Sequence, residues 1–232
     1  MPFAFTALFL YYITDRKQLS TDPAQSIRLL LARIRAAAEA GVDAIQLREN
    51  DLSSREMVEL GRQAANLVVE ANSEDSSKPV TRFLINSRTD IAIACGADGV
   101  HLRSEDISAS EARRLLVRAG ISGPLVAVSC HCVEEVELAE GHGADFAVFG
   151  PAFGKSGVDA KAAGVAELER VCKRRSMANP KMPVLALGSV NEVTAAECLQ
   201  AGADGVGAIR MFQQGVIHET VFRLRKLGVR PR

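Results

Sequence analysis

Four copies of one short motif constrain this chain more than any other feature. The run Gly96-Ala97-Asp98-Gly99-Val100-His101-Leu102-Arg103 is echoed by GVDAIQLR from Gly41, GADFAVFG from Gly143 and GADGVGAI from Gly202. Each copy follows a helical pattern and opens into a short apolar run. Glycine suits the left-handed position that ends a helix, the Ala-Asp pair suits a tight turn, and the apolar run reads as a strand. The intervals between copies hold room for one further helix and strand each. If every second joint keeps the motif, strand and helix alternate about eight times, and ~250 residues is the usual length of a closed barrel built that way.

The chain in order bears this out as a pattern. Residues 8–14 read as the first strand, and Thr21-Asp22-Pro23 as a helix cap with proline at the first helical position. Residues 44–48 alternate, with Ile45 and Leu47 under the helices and Ala44, Gln46 and Arg48 on the opposite face. Ser53-Ser54-Arg55-Glu56 is a capping box, and residues 72–78 read as a polar surface loop. Further strands are expected at 83–85, 99–102, 125–128, 146–149, 183–187 and 205–209, each followed by a helical pattern. Ser108 or Ser110 is expected to cap the fourth helix, Val133, Val136 and Leu138 to line the fifth, and Asn191 to cap the seventh. The expectation is an α/β chain, a single-domain (β/α)8 TIM barrel over residues 1–232.

Composition narrows the partners. Lys+Arg and Asp+Glu balance at 28 each, which gives no global attraction to nucleic acid or to an anionic membrane, so any anion site must be local. The apolar start, residues 3–13, lacks a basic flank and a small-residue cleavage site, and suits a strand better than a signal peptide. No other run is long enough to span a bilayer. Five cysteines without framework spacing point to a reducing, cytoplasmic setting.

In a barrel of this kind chemistry belongs to the C-terminal ends of the strands. Those ends offer Gln46, Arg48, Asn86, Asp106, Ser129, His131, Gly150, Lys155, Gly188, Ser189 and Arg210, while the repeated joints fall on the structural face. Gly188-Ser189 and the stretch through Ile209-Arg210 stand where such barrels hold a phosphate on backbone N–H groups, with Arg210 adding a full charge. The loop 150–157, with Lys155, reads as a second anion-binding lid, although it lacks P-loop spacing. Arg48 and Asn86 can grip another anion. Asp106 then either holds a hard cation beside it or pairs with Arg48 to close the barrel top. His131 is a candidate general acid or base, or else a capping or surface group. Cys130-His131-Cys132 does not form a metal site, since neighbouring residues point apart and no second ligand cluster exists.

These residues also carry a family resemblance. Tyr12-Ile13-Thr14-Asp15, Gln46-Leu47-Arg48-Glu49, Leu84-Ile85-Asn86, the run from Gly96 to Leu102, Glu105-Asp106, Val128-Ser129, Phe149-Gly150-Pro151 and Ala201 to Val206 occur in order. Over nearly the full chain the pattern resembles thiamin phosphate synthase and its TenI-type relatives. The resemblance implies a barrel that joins an aminopyrimidine diphosphate to a thiazole phosphate by a dissociative step, with Mg²⁺ and cationic side chains stabilising the departing diphosphate. Gln46 then matches the pyrimidine-binding glutamine, Arg48 and Asn86 diphosphate ligands, Asp106 a Mg²⁺ ligand and Ser129 the active-site serine. Gly188-Ser189 and Ile209-Arg210 match the thiazole phosphate cradle, and a homodimer is implied as well.

The departures from the family pattern are Asn50 in place of a diphosphate-binding lysine and Ser87 in place of a carboxylate Mg²⁺ ligand. The loop after the sixth strand is also reduced, to Gly154-Lys155-Ser156-Gly157. Lys155 can stand in for the missing lysine. Three readings follow: a synthase with an altered diphosphate end, a TenI-type thiazole tautomerase whose catalytic histidine His131 matches, and a non-catalytic binder of a thiamin precursor.

Overall fold

Eight parallel strands close on themselves in sequence order, first beside last, in the computed structural model, which describes residues 8–75, 77–153, 163–177 and 182–228. The strands are β1 (Phe9–Ile13), β2 (Ala44–Leu47), β3 (Arg82–Asn86), β4 (Gly99–Leu102), β5 (Leu125–Cys130), β6 (Phe146–Phe149), β7 (Val184–Ala186) and β8 (Gly205–Ala208). The helices are α1 (Pro23–Glu39), α2 (Ser54–Glu74), α3 (Thr89–Cys95), α4 (Ala109–Arg118), α5 (Val133–Gly141), α6 (Ala163–Met177) and α7 (Glu192–Gln200). A short α8 (Arg210–Gln213) and α9 (Ile217–Leu227) complete the ring. The fold is the (β/α)8 barrel the repeats imply.

Strand alternation divides the core in two. Ile45, Leu47, Phe83, Ile85, Val100 and Leu102 face the helices, whereas Phe9, Tyr11, Leu84, Leu125, Phe146 and Leu185 fill the barrel. Phe146 packs against Phe9 and edge-on against Tyr11, with ring centroids 5.1 and 5.3 Å apart. These aromatics fill the lower barrel, and the open cleft lies at the C-terminal rim. The caps are as the sequence reads: Asp22 and Ser53 accept from Gln25 and Glu56 N–H, Ser108 rather than Ser110 caps α4, and Asn191 caps α7.

The repeated joints do more than turn the chain. Their first glycines adopt left-handed backbone, with φ from 73° at Gly96 to 99° at Gly202. The aspartates, expected to serve the turn, instead reach across to the preceding strand. Asp43, Asp98, Asp145 and Asp204 accept the backbone N–H of Leu10, Phe83, Val126 and Val184 at 2.6–2.8 Å. The N–H of each aspartate donates to the carbonyl of that same residue at 2.8–3.0 Å. Every even strand is thus clamped to the odd strand before it. Arginines neutralise three of these buried or half-buried charges: Arg225 on Asp43, Arg82 on Asp98 and Arg113 on Asp145, at 2.9, 3.1 and 2.7 Å.

A second charged cluster fixes the opposite, C-terminal rim between β1 and β2. Buried Glu49 accepts from Thr14 Oγ1 at 2.7 Å and pairs with Arg16 at 3.0 Å, while Arg16 also pairs with Asp51 at 2.7 Å. Burial pushes the Glu49 carboxyl up despite those partners, whereas hydrogen bonding from Arg16 holds Asp51 well below the usual carboxylate range. Glu49 therefore orders the rim at the edge of the cleft it helps to line.

Three expectations need correction. Helix α2 continues to Glu74, so the first three residues of the expected 72–78 loop lie inside it, and Asn72 bonds both the N–H and the carbonyl of Thr81. Leu138 is 58% exposed, because on a nine-residue helix Val136 and Ala139 take the inner face. The eighth strand stops at Ala208, and Arg210 opens the short α8.

Removing one clamp tests its weight. Asp43→Ala leaves the Leu10 N–H without its carboxylate acceptor and removes the charge that Arg225 pairs with, and is expected to destabilise the fold by about 3 kcal/mol. In urea unfolding the midpoint should fall with the slope unchanged. Asp43→Asn should lose roughly half as much, since it keeps an acceptor without the charge.

Candidate active site

The rim above the aromatic plug opens into a cleft of about 1970 Å³. A single small-molecule site is typically ~300–1,000 Å³, so this one has room for two ligands side by side. Its walls come from loops after nearly every strand, and it includes Gln46, Arg48, Asn86, Ser129, His131 and Arg210. Gly188, Ser189 and Ile209 line the same cleft. Of the sequence-expected residues, Lys155 lies outside the described residues, and Asp106 and Gly150 are not among those lining the cleft.

On one side, Gln46 and Asn86 sit at the inward ends of neighbouring strands and share a hydrogen bond, Gln46 Nε2 donating to Asn86 Oδ1 at 2.8 Å. Gln46 is buried, and its Oε1 has no protein partner. A buried carbonyl oxygen without a donor costs about 1–3 kcal/mol, so this atom is set to receive an N–H from a ligand. The Arg48 backbone is pinned by Thr14 Oγ1 at 2.9 Å, while its guanidinium has no ion-pair or hydrogen-bond partner among the described residues. Arg48 does not pair with Asp106. Asp106 is taken instead by Arg103, three residues earlier, whose N–H donates to one carboxylate oxygen at 2.8 Å while Nη2 approaches the other at 3.3 Å.

The centre of the cleft holds a residue that sequence reasoning missed. His101 lies inside the barrel, only 3% exposed, between Tyr11 and Ser129. Nδ1 is 2.9 Å from Tyr11 Oη and Nε2 is 2.9 Å from Ser129 Oγ. Burial holds the Tyr11 phenol protonated, far above its ordinary value. Its proton has no other acceptor among the described residues, so Tyr11 donates to Nδ1, and Nε2–H then donates to Ser129 Oγ. The Ser129 hydroxyl proton is thereby left to face the cleft. Burial, helped by the nearby Arg48 charge and opposed by Asp106, depresses His101 to about 3, so the ring is neutral at working pH. The motif at 96–102 contained the signal, because inward Gly99 and His101 alternate on one strand. A Cβ at Gly99 would collide with the Leu125 backbone, which leaves His101 as the inward side chain β4 presents.

The far side of the cleft is a turn pair after β7 and β8. Gly188 and Ser189 both adopt left-handed backbone, φ 104° and 49°. The N–H groups of Gly188, Ser189 and Arg210 donate to no protein acceptor among the described residues, and Arg210 is exposed beside them. This is what an anion cradle requires. Gln213 ties the cradle to β1, accepting from the Asp15 N–H at 3.0 Å and donating to the Asp15 carbonyl at 2.9 Å. His131 is exposed at the cleft edge with Nδ1 2.6 Å from the Gly150 carbonyl, which leaves Nε2 as its free nitrogen. Cys130 is buried, all five cysteines are free, and no group of three His, Cys, Asp or Glu side chains among the described residues can hold a metal ion.

Fold and cleft together define a (β/α)8 barrel that carries its polar groups on the face where such barrels do their chemistry. Comparison with known proteins then gives the family. A family model described as thiamine monophosphate synthase matches residues 10–212. Thiamine-phosphate synthase of Moorella thermoacetica is 38% identical over 182 residues, covering 78% of this chain and 80% of the relative. That of Coprothermobacter proteolyticus is 34% identical over 203 residues, covering 87% and 85%. Among solved structures, thiamine phosphate pyrophosphorylase from Pyrococcus furiosus superposes with a TM-score of 0.73 at 29% identity, covering 96% of each chain. The chain belongs to the thiamine monophosphate synthase family.

The buried imidazole has a thermodynamic signature. An unfolded histidine takes up a proton below pH 6.5 and the native one only near pH 3, so folding should lose about 1.4 kcal/mol per pH unit as pH falls between those values. His101→Gln should flatten that slope in urea melts run from pH 6.5 to 4. Parallel pH profiles for the two proteins would mean the ring titrates normally.

Proposed function

We propose that this chain is a thiamin phosphate synthase, joining an aminopyrimidine diphosphate to a thiazole phosphate with release of diphosphate. The observation that carries the reading is the buried, unpartnered Gln46 Oε1, which lies on the Arg48 side of a cleft that ends, on its other side, in an N–H cradle. An exocyclic amine of a pyrimidine is the donor that oxygen lacks. Arg48 and Asn86 then face the diphosphate, and Gly188, Ser189, Ile209 and Arg210 the thiazole phosphate. The Ser129 hydroxyl, aimed by Tyr11 and His101, donates to the ring held between them.

In this reading the bond between the pyrimidine methylene and diphosphate oxygen breaks first, and its electron pair leaves with the diphosphate. The thiazole nitrogen lone pair then forms the new C–N bond. No side chain needs to act as nucleophile, so the protein contributes positioning and electrostatic stabilisation. His131 is catalytic in the proposal through its free Nε2 at the cleft edge, and Lys155, outside the described residues, enters only as a cation expected from the sequence. The tautomerase and binder readings rest on no observation beyond His131, and the names of the relatives favour the synthase.

The resemblance implies Mg²⁺ bound at Asp106. The residues present do not fit that role, because Asp106 is committed to Arg103 and position 87 supplies a neutral hydroxyl. No step is therefore routed through a metal. The proposal further takes the chain as one catalytic domain and a cytoplasmic homodimer. The free cysteines are consistent with a reducing compartment, and no described helix is long and apolar enough to cross a membrane. Dimerisation rests on family resemblance alone.

Mixing the two precursors should yield thiamin phosphate, measured as the fluorescent thiochrome derivative. Gln46→Ala and Arg48→Ala should each lower kcat/KM for the pyrimidine diphosphate by roughly tenfold to a hundredfold, and Arg210→Ala should raise KM for the thiazole phosphate about tenfold. No product from the unaltered protein would overturn the proposal. Isomerisation of a carboxythiazole phosphate that disappears in His131→Ala would replace it with the tautomerase.

A further inference from the structure

At the C-terminal ends of β3 and β4 one guanidinium is held among three side-chain oxygens. Arg103 Nε donates to Ser87 Oγ at 3.1 Å, Nη2 lies 3.3 Å from Asp106 Oδ1, and Nη1 lies 3.3 Å from Glu105 Oε1. The backbone aims these groups. Ser87 adopts a left-handed conformation, φ 57°, with its N–H on the His101 carbonyl at 2.8 Å, and the Arg103 N–H fixes the second Asp106 oxygen at 2.8 Å. Arg103, Ser87 and Glu105 line the same cleft as Arg48 and Asn86.

A hard divalent cation needs several oxygen ligands, mostly anionic, around one point. Here the point between the hydroxyl and the two carboxylates is filled by a positive charge that belongs to the chain. We propose that the Arg103 guanidinium does the work of the divalent cation at the diphosphate end, so that Arg48 and Arg103 together bind the diphosphate without added metal. This rests on the synthase reading for the identity of the ligand, but its test does not depend on turnover.

The chemistry suits the task. A guanidinium stays charged throughout the accessible pH range and offers a planar fork that matches phosphate oxygens two at a time. The Arg103 side chain is 57% exposed, so turning one edge from Asp106 to a ligand requires little desolvation. Arg88, the other arginine at this end, is not available in the same way. Asp90 engages it through two hydrogen bonds, at 2.8 and 2.6 Å. Asn50, where the family places a diphosphate-binding lysine, contributes no charge, which leaves Arg103, among the described residues, as the second cation beside Arg48.

The test is calorimetric titration of the full chain with inorganic diphosphate, in EDTA and again with Mg²⁺. Unaltered protein should bind in EDTA. Arg103→Ala, a change at an exposed ion pair that leaves folding intact, should bind roughly tenfold or more weakly in EDTA. Mg²⁺ should restore much of the loss in that variant, because Glu105 and Asp106 are then free, and Arg103→Lys should fall between the two. Diphosphate binding by unaltered protein only when Mg²⁺ is present would overturn the proposal, as would equal affinities of the unaltered and Arg103→Ala proteins in EDTA. Failure of every variant to form thiamin phosphate, alongside the expected titrations, would sink the synthase reading and leave the role of Arg103 standing.

Discussion

A carboxylate placed at the foot of every second strand is the interaction on which this barrel depends. A strand end leaves a backbone N–H and a carbonyl to be satisfied, and a buried unpaired one costs about 1–3 kcal/mol. Asp43, Asp98, Asp145 and Asp204 satisfy both groups of one residue on the neighbouring strand at once. Each contact is charge-assisted, worth about 1.5–3 kcal/mol, and each recurs with the same register. Four equal clamps set the spacing of four strand pairs, and a parallel sheet of eight with uniform pairing closes. The clamps lie at the foot, which leaves much of the rim free to carry groups that bind.

That division explains which residues are strained or unsatisfied. At the foot, Arg82, Arg113 and Arg225 match the charges of three of the four clamps. The rim carries the left-handed Ser87 and Ser189, the orphan Gln46 Oε1 and the unpaired N–H groups of the far turns. Residues held in unfavourable backbone conformations concentrate where a ligand is to be received. The Arg16–Glu49–Asp51 cluster is internally satisfied, and it serves the rim as a brace.

Much of this was legible from residue order alone. The fourfold recurrence of glycine and aspartate before an apolar run implies eight βα units, and Gln46, Arg48, Asn86, Ser129 and Arg210 share one cleft because each ends or follows a strand. What escaped the sequence depended on neighbours far away in the chain. The clamps of Asp43 and Asp98 are visible only once β1 and β3 lie alongside. His101 reads as part of an apolar run until Gly99 shows which face of β4 points inward, and its partners, Tyr11 and Ser129, lie 90 and 28 residues away. Asp106 was assigned a cation or Arg48, yet the arginine three residues before it wins, because a local turn costs less ordering than a contact across strands. Lys155 falls outside the described residues.

Gln213 has a consequence for how the two halves of the cleft communicate. Its amide spans the seam where the last strand meets the first, holding both polar groups of Asp15. The N–H cradle after β8 and the rim after β1 are therefore tied together, and the Arg16–Glu49 brace links them onward to β2 and Arg48. This arc of contacts joins the N–H cradle to the opposite wall, so in the proposed reading the distance between two guests is set by the scaffold and not negotiated by the guests themselves. An enzyme that must bring two fragments to bonding distance gains its directionality from such a hoop.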